Sequence, residues 1–450
     1  MTGLFGTDGI RGVANIEPIT AETALAIGRA TAHVCKKHSG RLRVVIGKDT
    51  RISGYMLENA LTAGICSMGV DVLLVGPMPT PGIAFITRNM RADAGIVISA
   101  SHNQYQDNGI KIFSHDGYKI ADDVEKEIEE LVLTERIKNI RPTAAEIGKA
   151  FRIDDAIGRY IVFCKNTFPE TLSLSGLRVA IDCANGATYR VAPIIFSELG
   201  AEVVTINNHP NGMNINKNSG ALFTDGLAEK VLNTGSDIGL AFDGDGDRIQ
   251  AIDEKGNKLT GDHLLVIMAK SLKQDNLLRN NTIVSTPMSN LGFHLAMSRM
   301  DIKVEIAAVG DRYVLQKMRQ INASFGGEDS GHIIFHDHHT TGDGIISALQ
   351  LLAVMQKTNL PLSVLANDLK LAPQRLVNID VHSKPDLDTI PQIRDAITAA
   401  EEELGNEGRV FVRYSGTEPI CRVMVESNSK ELTDRLAYSI AEVVESVINR

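Results

Sequence analysis

Residues 43–76 read RVVIGKDTRISGYMLENALTAGICSMGVDVLLVG. A short β-branched run opens the stretch, a polar turn follows, and a segment with helical periodicity leads to a second apolar run, VDVLLV. This order is the signature of a βαβ unit, in which a helix joins two parallel strands. Because VDVLLV is apolar at nearly every position, we expect a strand covered on both faces of its sheet.

The same pattern occurs twice more along the chain. Residues 178–207 read RVAIDCANGATYRVAPIIFSELGAEVVTIN, and residues 282–310 read TIVSTPMSNLGFHLAMSRMDIKVEIAAVG. Each stretch again runs from a short β-rich segment through a turn and a helical segment to a second strand. Three such units, far apart in one chain, predict three α/β domains built on one plan.

The C-terminal part has a different order of elements. RLVNIDVHS (375–383) alternates like a half-buried strand, a charged helical segment follows, and two strands flank RYSGTEP (413–419) before a last amphipathic helix. This order predicts an α+β domain with helices on one face of an antiparallel sheet. The predicted domains are 1–153, 154–255 and 256–367, each of mixed α/β type, and 368–450, of α+β type.

Composition and charge limit the classes of function. The chain has 450 residues, 43% of them hydrophobic, and a formal net charge of −9, which argues against broad electrostatic binding to nucleic acid. No segment approaches the roughly 18 apolar residues of a membrane helix, and no signal-peptide pattern is present. The five cysteines are scattered without CxxC spacing. We therefore expect a reduced, cytoplasmic protein without a zinc site or a disulfide framework.

The sharpest chemical signal is DGDGDR (243–248), which follows the apolar run SDIGLAF. Three carboxylates at alternate positions repel one another unless a cation compensates, and the glycines permit a turn on which the side chains converge. An EF-hand needs glycine where this chain has Arg248, and a helix where this chain reads as a strand. We predict that Asp243, Asp245 and Asp247 hold Mg²⁺; an acidic surface turn is the alternative.

A second polar stretch, SASHN (99–103), ends an apolar run abruptly. A polar turn at a strand end and a nucleophile at the mouth of a sheet both fit. Mg²⁺ usually binds few carboxylates plus phosphate oxygens, which Ser101 would supply if phosphorylated. His102 beside it suggests a serine hydrolase, but no GxSxG elbow is present, and neighbouring strand residues point to opposite faces. Lys111 is either a solvated strand residue or a group that stabilises charge or moves a proton.

The loop in GGEDSGHIIF (326–335) is dense in polar groups between two apolar runs. Glu328 and Ser330 can form hydrogen bonds to sugar hydroxyls, and His332 is either a structural histidine or a general acid or base. The neighbouring HDHH (336–339) lacks the helical spacing of an HExxH metal site, so we interpret it as a solvated loop.

Two more loops carry arginine beside glycine. In RYSGTEP, an arginine fork and backbone amides near a glycine suit a phosphate dianion, although a plain hairpin turn is the alternative. FGTDGIRG (5–12) is a glycine-rich turn with Arg11 that lacks P-loop spacing, so by itself it indicates little.

Five stretches, in their order along the chain, resemble the motifs of the α-D-phosphohexomutases: FGTDGIRG, SASHN with DNGIK (107–111), DGDGDR, GGEDSGH and RYSGTEP. The resemblance covers the whole chain. FGTDGIRG, SASHN and SGTEP together are most similar to the bacterial branch that acts on glucosamine phosphates. The resemblance implies three related α/β domains and a fourth, TATA-binding-protein-like α+β domain around a central cleft.

The resemblance also implies a role for each motif residue. Ser101 matches the serine that carries the phosphoryl group and contributes to the metal site. The other matches are the Mg²⁺ ligands Asp243, Asp245 and Asp247; the active-site residues Arg11, Lys111, Arg248 and His332; the sugar-contacting residues Glu328 and Ser330; and the phosphate-binding residues Arg413, Ser415, Gly416 and Thr417. Three positions depart from the usual pattern, namely Gln104, Asp329 and Tyr414.

The activity implied by the resemblance is the isomerisation of glucosamine 6-phosphate to glucosamine 1-phosphate. It would proceed through a phosphoserine enzyme and glucosamine 1,6-bisphosphate, which also acts as activator, with one Mg²⁺ per chain. The product would feed peptidoglycan precursor synthesis. The expected partner is a small phosphosugar, not nucleic acid or membrane, and a homodimer is left open. The alternatives are a phosphomannomutase/phosphoglucomutase of the same superfamily and a non-catalytic sugar-phosphate sensor.

Overall fold

The computed structural model describes residues 3–6, 8–35, 42–414 and 419–449. The chain divides into two compact units, of which the first comprises Met1–Met288 and Ile302–Asn367. The second unit comprises Ser289–Asp301 and Asp368–Arg450. The first unit therefore contains the three predicted α/β domains except for one helical segment, and the second contains the predicted C-terminal domain.

The N-terminal domain is built, in its described residues, on a six-stranded mixed sheet. Its elements are β1 (Ile10–Val13), α1 (Ala21–Cys35), β2 (Arg43–Lys48), α2 (Ser53–Cys66), β3 (Asp71–Pro77), α3 (Thr80–Asn89), β4 (Ala94–Ile98), β5 (Asp107–Ser114), α4 (Asp122–Leu133) and β6 (Ala150–Arg152). The strand order is β1-β5-β4-β2-β3-β6, and β5 is antiparallel to both of its neighbours. Apolar side chains such as Ile27, Ile46, Leu61 and Ile96 form the core between helices and sheet.

The second domain repeats this plan on a smaller sheet. Its described elements are α5 (Ala156–Lys165), β7 (Arg178–Asp182), α6 (Val191–Glu198), β8 (Glu202–Ile206), α7 (Asp225–Thr234), β9 (Ile238–Phe242), β10 (Ile249–Asp253) and β11 (Lys258–Leu259). The strand order is β11-β10-β9-β7-β8. Strands β7, β8 and β9 are parallel, whereas β10 and β11 continue the sheet as antiparallel strands.

The third domain has, in the part of the chain described, a four-stranded sheet of order β13-β12-β14-β15. Its elements are α8 (Gly261–Gln274), β12 (Thr282–Ser285), α9 (Leu291–Arg299), β13 (Lys303–Ile306), α10 (Asp311–Ile321), β14 (Phe325–Gly327), β15 (Ile333–Phe335), α11 (Gly344–Thr358) and α12 (Leu362–Leu365). Helix α9 belongs to the second unit, because the Leu291 amide donates a hydrogen bond of 2.9 Å to Glu426 Oε2.

The second unit is an antiparallel sheet with two long helices. Its further elements are β16 (Gln374–Asp380), α13 (Pro391–Leu404), β17 (Gly408–Tyr414), β18 (Ile420–Ser427) and α14 (Lys430–Ile448). The strand order is β16-β18-β17, with both pairings antiparallel. A core that includes Ile393, Val423 and Ile440 joins helices and sheet, so the predicted α+β order is confirmed.

The three predicted βαβ units are also confirmed, since β2 and β3, β7 and β8, and β12 and β13 pair in parallel. Each sheet is nevertheless mixed, because a hairpin adds an antiparallel strand beside the parallel set. No helix in the described residues is both long and apolar enough to span a membrane.

Candidate active site

Three predicted site loops occupy equivalent places in the three α/β sheets. SASHN lies between β4 and β5, DGDGDR between β9 and β10, and EDSGH between β14 and β15. In each case a buried strand ends, the loop follows, and the chain returns as an antiparallel neighbour. The predicted site residues lie in these hairpin turns. This placement explains why polar residues directly follow apolar strands in the sequence.

Ser101 is buried, and its hydroxyl faces the carboxylates of DGDGDR. The residue is 1% exposed and its backbone is left-handed, with φ of 50°. Its Oγ donates a hydrogen bond of 2.7 Å to Asp243 Oδ2. A buried hydroxyl held against a carboxylate is the arrangement expected of a reacting group, not of a solvated turn.

The expectation that Ser101 and His102 point to opposite faces is wrong, because Ser101 is left-handed and not extended. Ser101 Oγ and His102 Nδ1 lie 3.4 Å apart. Burial first, and then the charges of Arg248 and Arg11, lower the pKa of His102 to about 4. Ser101 makes its shorter hydrogen bond to Asp243, so the geometry differs from the close Ser–His pair of a serine hydrolase.

The three aspartates of DGDGDR converge on one point. Each is buried, and one ligand oxygen from each lies within 4.8 Å of the other two. Asp243 Oδ1 accepts hydrogen bonds from the amides of Gly246 at 3.0 Å and Arg248 at 3.2 Å. In the described part of the chain, Asp245 Oδ1 and Asp247 Oδ1 are buried without a hydrogen-bond partner.

These oxygens fit a divalent cation. Burial, followed by the charges of Asp247 and Asp245, holds the pKa of Asp243 well above its usual range, and a cation would relieve this repulsion. Hard divalent ions prefer carboxylate oxygens, and buried carboxylate oxygens without hydrogen-bond partners are available here. The triad is therefore suited to a divalent metal.

Lys111 extends from β5 into the same cluster. Its Nζ lies 3.1 Å from Asp245 Oδ2, 3.1 Å from Asp8 Oδ2 and 3.8 Å from Asp247 Oδ2. The residue is 2% exposed, so its interpretation as a solvated strand lysine is wrong. Burial would lower the pKa of Lys111, but the charges of Asp245, Asp8 and Asp247 raise it above its usual range. The ammonium is a fixed positive charge beside the triad.

The hairpins of the second and third domains meet at Arg248 and His332. These two residues form an isolated antiparallel bridge, and the Ile249 amide donates to Gly331 O at 3.1 Å. The buried His332 ring has Nδ1 at 3.7 Å from Asp247 Oδ2 and Nε2 at 3.7 Å from Asp311 Oδ2. Burial would lower the pKa of His332, but the hydrogen bond and charge of Asp247, with Asp311, raise it.

Sequence reasoning missed an ionic link that runs beside these groups. Lys119 Nζ lies 2.6 Å from Asp8 Oδ1 and 2.5 Å from Asp311 Oδ2, and Asp8 also pairs with Arg11. Asp8 stands within FGTDGIRG, and Asp311 directly follows the third βαβ stretch, so both had a positional signal. Lys119 had none, because it follows a strand in an ordinary polar turn.

Predicted catalytic and sugar-contacting residues of the first unit line one cavity of about 830 Å³. Its lining includes Arg11, Arg248, Glu328, Ser330 and His332, with Asp247 at its metal side. The Gly310 amide donates to Glu328 Oε1 at 3.0 Å, which fixes that carboxylate at the wall. A cavity of this size is suited to a small molecule.

The predicted phosphate loop lies in the second unit. Arg413 is on β17 directly opposite Arg422 on β18. Both guanidinium groups thus bring positive charge to the strands that flank the predicted loop. Ser415, Gly416 and Thr417 lie outside the described residues.

The interpretation of HDHH as a solvated loop is wrong for His339. This side chain is 3% exposed, and its Nε2 lies 3.0 Å from Pro81 O at the start of α3. Its ring also meets Phe163 edge to face, at 5.1 Å between centroids. The segment packs between the first and second domains, which a local pattern of histidines does not reveal.

Four successive segments match one family along nearly the whole chain. Residues 2–138, 158–256 and 260–371 match the α/β/α domains I, II and III described as phosphoglucomutase/phosphomannomutase, and residues 376–443 match its C-terminal domain. The chain belongs to the phosphoglucomutase/phosphomannomutase family. The resemblance to the α-D-phosphohexomutases is thereby confirmed, and the chain is an enzyme of the phosphohexomutase type.

Relatives within the phosphoglucomutase/phosphomannomutase family cover the full chain. The phosphoglucosamine mutase of Syntrophus aciditrophicus (strain SB) is 56% identical over 444 residues, 99% of each chain. That of Syntrophobacter fumaroxidans is 56% identical over 448 residues, 100% of each chain. A crystal structure of a phosphoglucomutase/phosphomannomutase family protein from Burkholderia thailandensis has a TM-score of 0.81 at 25% identity, covering 98% of this chain and 97% of that one. The predicted fold class is confirmed.

Proposed function

We propose that this chain interconverts glucosamine 6-phosphate and glucosamine 1-phosphate by way of a phosphorylated Ser101. The observation that carries the proposal is the buried Ser101 hydroxyl, 2.7 Å from Asp243 in a triad suited to a divalent metal. Lys111 adds a fixed positive charge 3.1 Å from Asp245. Relatives that are 56% identical over the full length are named phosphoglucosamine mutase, which supports the amino sugar as substrate.

Two phosphoryl transfers of opposite direction would make up the reaction. In the first, the free hydroxyl of the substrate forms a bond to the phosphorus of phosphoserine, the Ser101 Oγ–P bond breaks, and the hydroxyl proton passes to a base. The product of this step is glucosamine 1,6-bisphosphate. After the sugar has turned over, Ser101 Oγ attacks the other phosphate, the sugar oxygen leaves with a proton, and phosphoserine is restored.

The metal proposed for the triad is Mg²⁺. Bound by Asp243, Asp245, Asp247 and an oxygen of phosphorylated Ser101, it would stabilise negative charge on the transferring group. Lys111 would contribute to the same stabilisation from the side of Asp245, and Arg248 from the cavity wall. Positioning and charge stabilisation of this kind dominate catalysis of phosphoryl transfer.

The remaining residues would bind the sugar and move the proton. His332 lines the cavity between Asp247 and Asp311, where it can exchange a proton with a sugar hydroxyl. Glu328 and Ser330 would accept and donate hydrogen bonds to sugar hydroxyls. Arg413, with Ser415, Gly416 and Thr417, would hold the phosphate that does not react.

Substrate preference decides between this proposal and its alternatives. A coupled assay across glucosamine, glucose and mannose phosphates should give the highest kcat/KM with glucosamine 6-phosphate. A higher kcat/KM with glucose or mannose phosphate would identify a phosphomannomutase/phosphoglucomutase activity instead. Binding of these sugars without turnover of any of them would contradict the proposed reaction. The scattered cysteines support a reaction in a reducing, cytoplasmic compartment, and the resemblance implies that the product feeds peptidoglycan precursor synthesis.

Asp329 stands where the amino-sugar branch usually has glutamine, yet its carboxylate contacts helix α8, and the residue is not among those that line the cavity. Its Oδ1 accepts from the Asp262 amide at 3.3 Å, in the first turn of α8, where a negative charge is favourable. We therefore expect Asp329→Gln to change the ratio of kcat/KM for glucosamine and glucose phosphates by less than about threefold. Glu328→Gln, at the cavity wall, should change the same ratio more. A larger effect of the Asp329 variant would contradict this placement.

A further inference from the structure

Ser101 adopts a backbone conformation that side chains with a Cβ rarely occupy. Its φ is 50°, in the left-handed region, and the residue is almost fully buried. A non-glycine residue persists there only where its surroundings hold it, and such positions are concentrated at functional sites. The contacts of the Ser101 carbonyl show what holds this one.

Asn216 reaches the Ser101 loop from the second domain. Its Nδ2 donates to Ser101 O at 2.8 Å and to Asn103 O at 2.8 Å, so one amide group bridges both carbonyls. Asn216 is 4% exposed. Its backbone N–H donates to Ala184 O at 2.9 Å, and this hydrogen bond anchors Asn216 to the turn after β7. The bridge is therefore rigid at both ends.

Arg51 holds the same two carbonyls from the first domain. Its Nη2 donates to Ser101 O at 3.3 Å and also to Asn103 O. The guanidinium is buried and paired with Asp49, whose Oδ2 accepts from Ser99 Oγ at 2.6 Å. The backbone N–H of Ser101 donates to Ser99 Oγ at 2.9 Å. Both the N–H and the C=O of Ser101 are therefore held by hydrogen bonds.

The DGDGDR loop packs against the Ser101 carbonyl and the Asn216 side chain. A Cβ placed on Gly244, within DGDGDR, would lie 2.5 Å from Asn216 Nδ2 and 2.6 Å from Ser101 O. Only glycine permits this approach. The Ser101 carbonyl, the Asn216 amide and the backbone that carries Asp243 and Asp245 are thus packed against one another.

We propose that Asn216 and Arg51 form a carbonyl clamp that positions Ser101 for phosphoryl transfer. By fixing Ser101 O, the clamp keeps the residue left-handed and directs Oγ toward Asp243, before and after the phosphoryl group is transferred. Neither residue touches the sugar cavity, so both act through Ser101. The inference rests on the proposed phosphoserine role of Ser101 and adds to it two residues from different domains.

Asn216 can be tested without disturbing the catalytic groups. Asn216 has a left-handed φ of 57°, which aspartate and glycine also tolerate. Asn216→Asp keeps the size of the side chain but replaces the donor with an acceptor, and Asn216→Gly removes the donor without adding charge. Asn218 supplies the matched control, because it is exposed, lies in the same loop and has a left-handed φ of 50°. Asn218→Asp and Asn218→Gly repeat both changes outside the clamp.

We expect both Asn216 variants to lower kcat on the order of tenfold or more, with KM for the sugar phosphate within about threefold of wild type. Their phosphoserine should also be lost to water faster. In that side reaction a water oxygen bonds to phosphorus, the Oγ–P bond breaks, and Oγ takes a proton. The Asn218 variants should match wild type in kcat and in the lifetime of the phosphoryl adduct, measured by intact mass.

Three outcomes would overturn the clamp. The first is an unchanged kcat and adduct lifetime in both Asn216 variants. The second is an equal decrease of kcat in the Asn218 variants. The third is a decrease of kcat/KM in the Asn216 variants that comes from a raised KM alone. Circular dichroism and the melting temperature identify any variant that has lost its fold, and the other substitution at position 216 then supplies the result. If the wild type itself carries no phosphoryl group during turnover, the proposed function fails; if only the clamp fails, wild type still turns over through phosphoserine.

Discussion

Ser101→Ala should lose mutase activity by at least about a thousandfold, because it removes the oxygen that forms the covalent bond. The fold should survive, since alanine only deletes a buried hydroxyl whose Oγ donates to Asp243. Purified wild type should carry a phosphoryl mass shift in part of the molecules, located at Ser101 by peptide mapping. The variant should carry none.

Ser99→Ala is the matched control for this prediction. Ser99 is also buried in the same loop, but its Oγ donates to Asp49 and does not face the triad. We expect this variant to retain the phosphoryl adduct, although its activity should fall because the Ser101 amide loses an acceptor. Mutase activity of Ser101→Ala within tenfold of wild type, or an adduct elsewhere that turns over with substrate, would contradict the role of Ser101.

Asp245→Asn should reduce kcat on the order of a hundredfold or more, because it removes a negative ligand from the metal site. The amide keeps the shape of the side chain, and its oxygen can still accept the hydrogen bond from Thr80 Oγ1 at 2.8 Å. Chelation of wild-type enzyme should have a comparable effect that added Mg²⁺ reverses. Mg²⁺ should also raise the melting temperature of wild type, because a ligand that binds the folded state stabilises it.

Asp253→Asn separates metal binding from stability. Asp253 is a buried aspartate of the adjoining strand β10, where its Oδ1 accepts from the amides of Lys255 at 2.9 Å and Asn257 at 2.8 Å. This variant should lower the melting temperature but keep the response to Mg²⁺. The metal assignment is refuted if thorough chelation leaves turnover unchanged, or if Asp245→Asn keeps the full thermal response to Mg²⁺.

The architecture could be predicted from the sequence because short local patterns indicate its strands, helices and loops. Apolar runs such as VDVLLV are long enough to identify buried strands, and glycine-rich polar loops after them identify the site. The sequence also predicted that DGDGDR binds a cation, since repulsion among three close carboxylates is visible from spacing alone. The antiparallel strands β11 and β15 were harder to foresee, because they are only two and three residues long and carry little periodicity.

What the sequence could not show were contacts between distant segments. Asn216 lies 115 positions from Ser101, and no feature of its loop points to a serine in another domain. The left-handed backbone of Ser101 has no signal either, since serine does not favour it. The same limit explains Lys111 and His339, whose burial depends on carboxylates and backbone supplied by other segments.

The central claim is that a phosphoryl group on Ser101 is required for each turnover and is renewed by the reaction. It is tested most directly with fully dephosphorylated protein, given glucosamine 6-phosphate with and without glucosamine 1,6-bisphosphate. We predict no turnover without the bisphosphate, and full activity together with a phosphoryl adduct at Ser101 once it is added. Equal rates from the first turnover in both conditions would contradict the phosphoserine cycle.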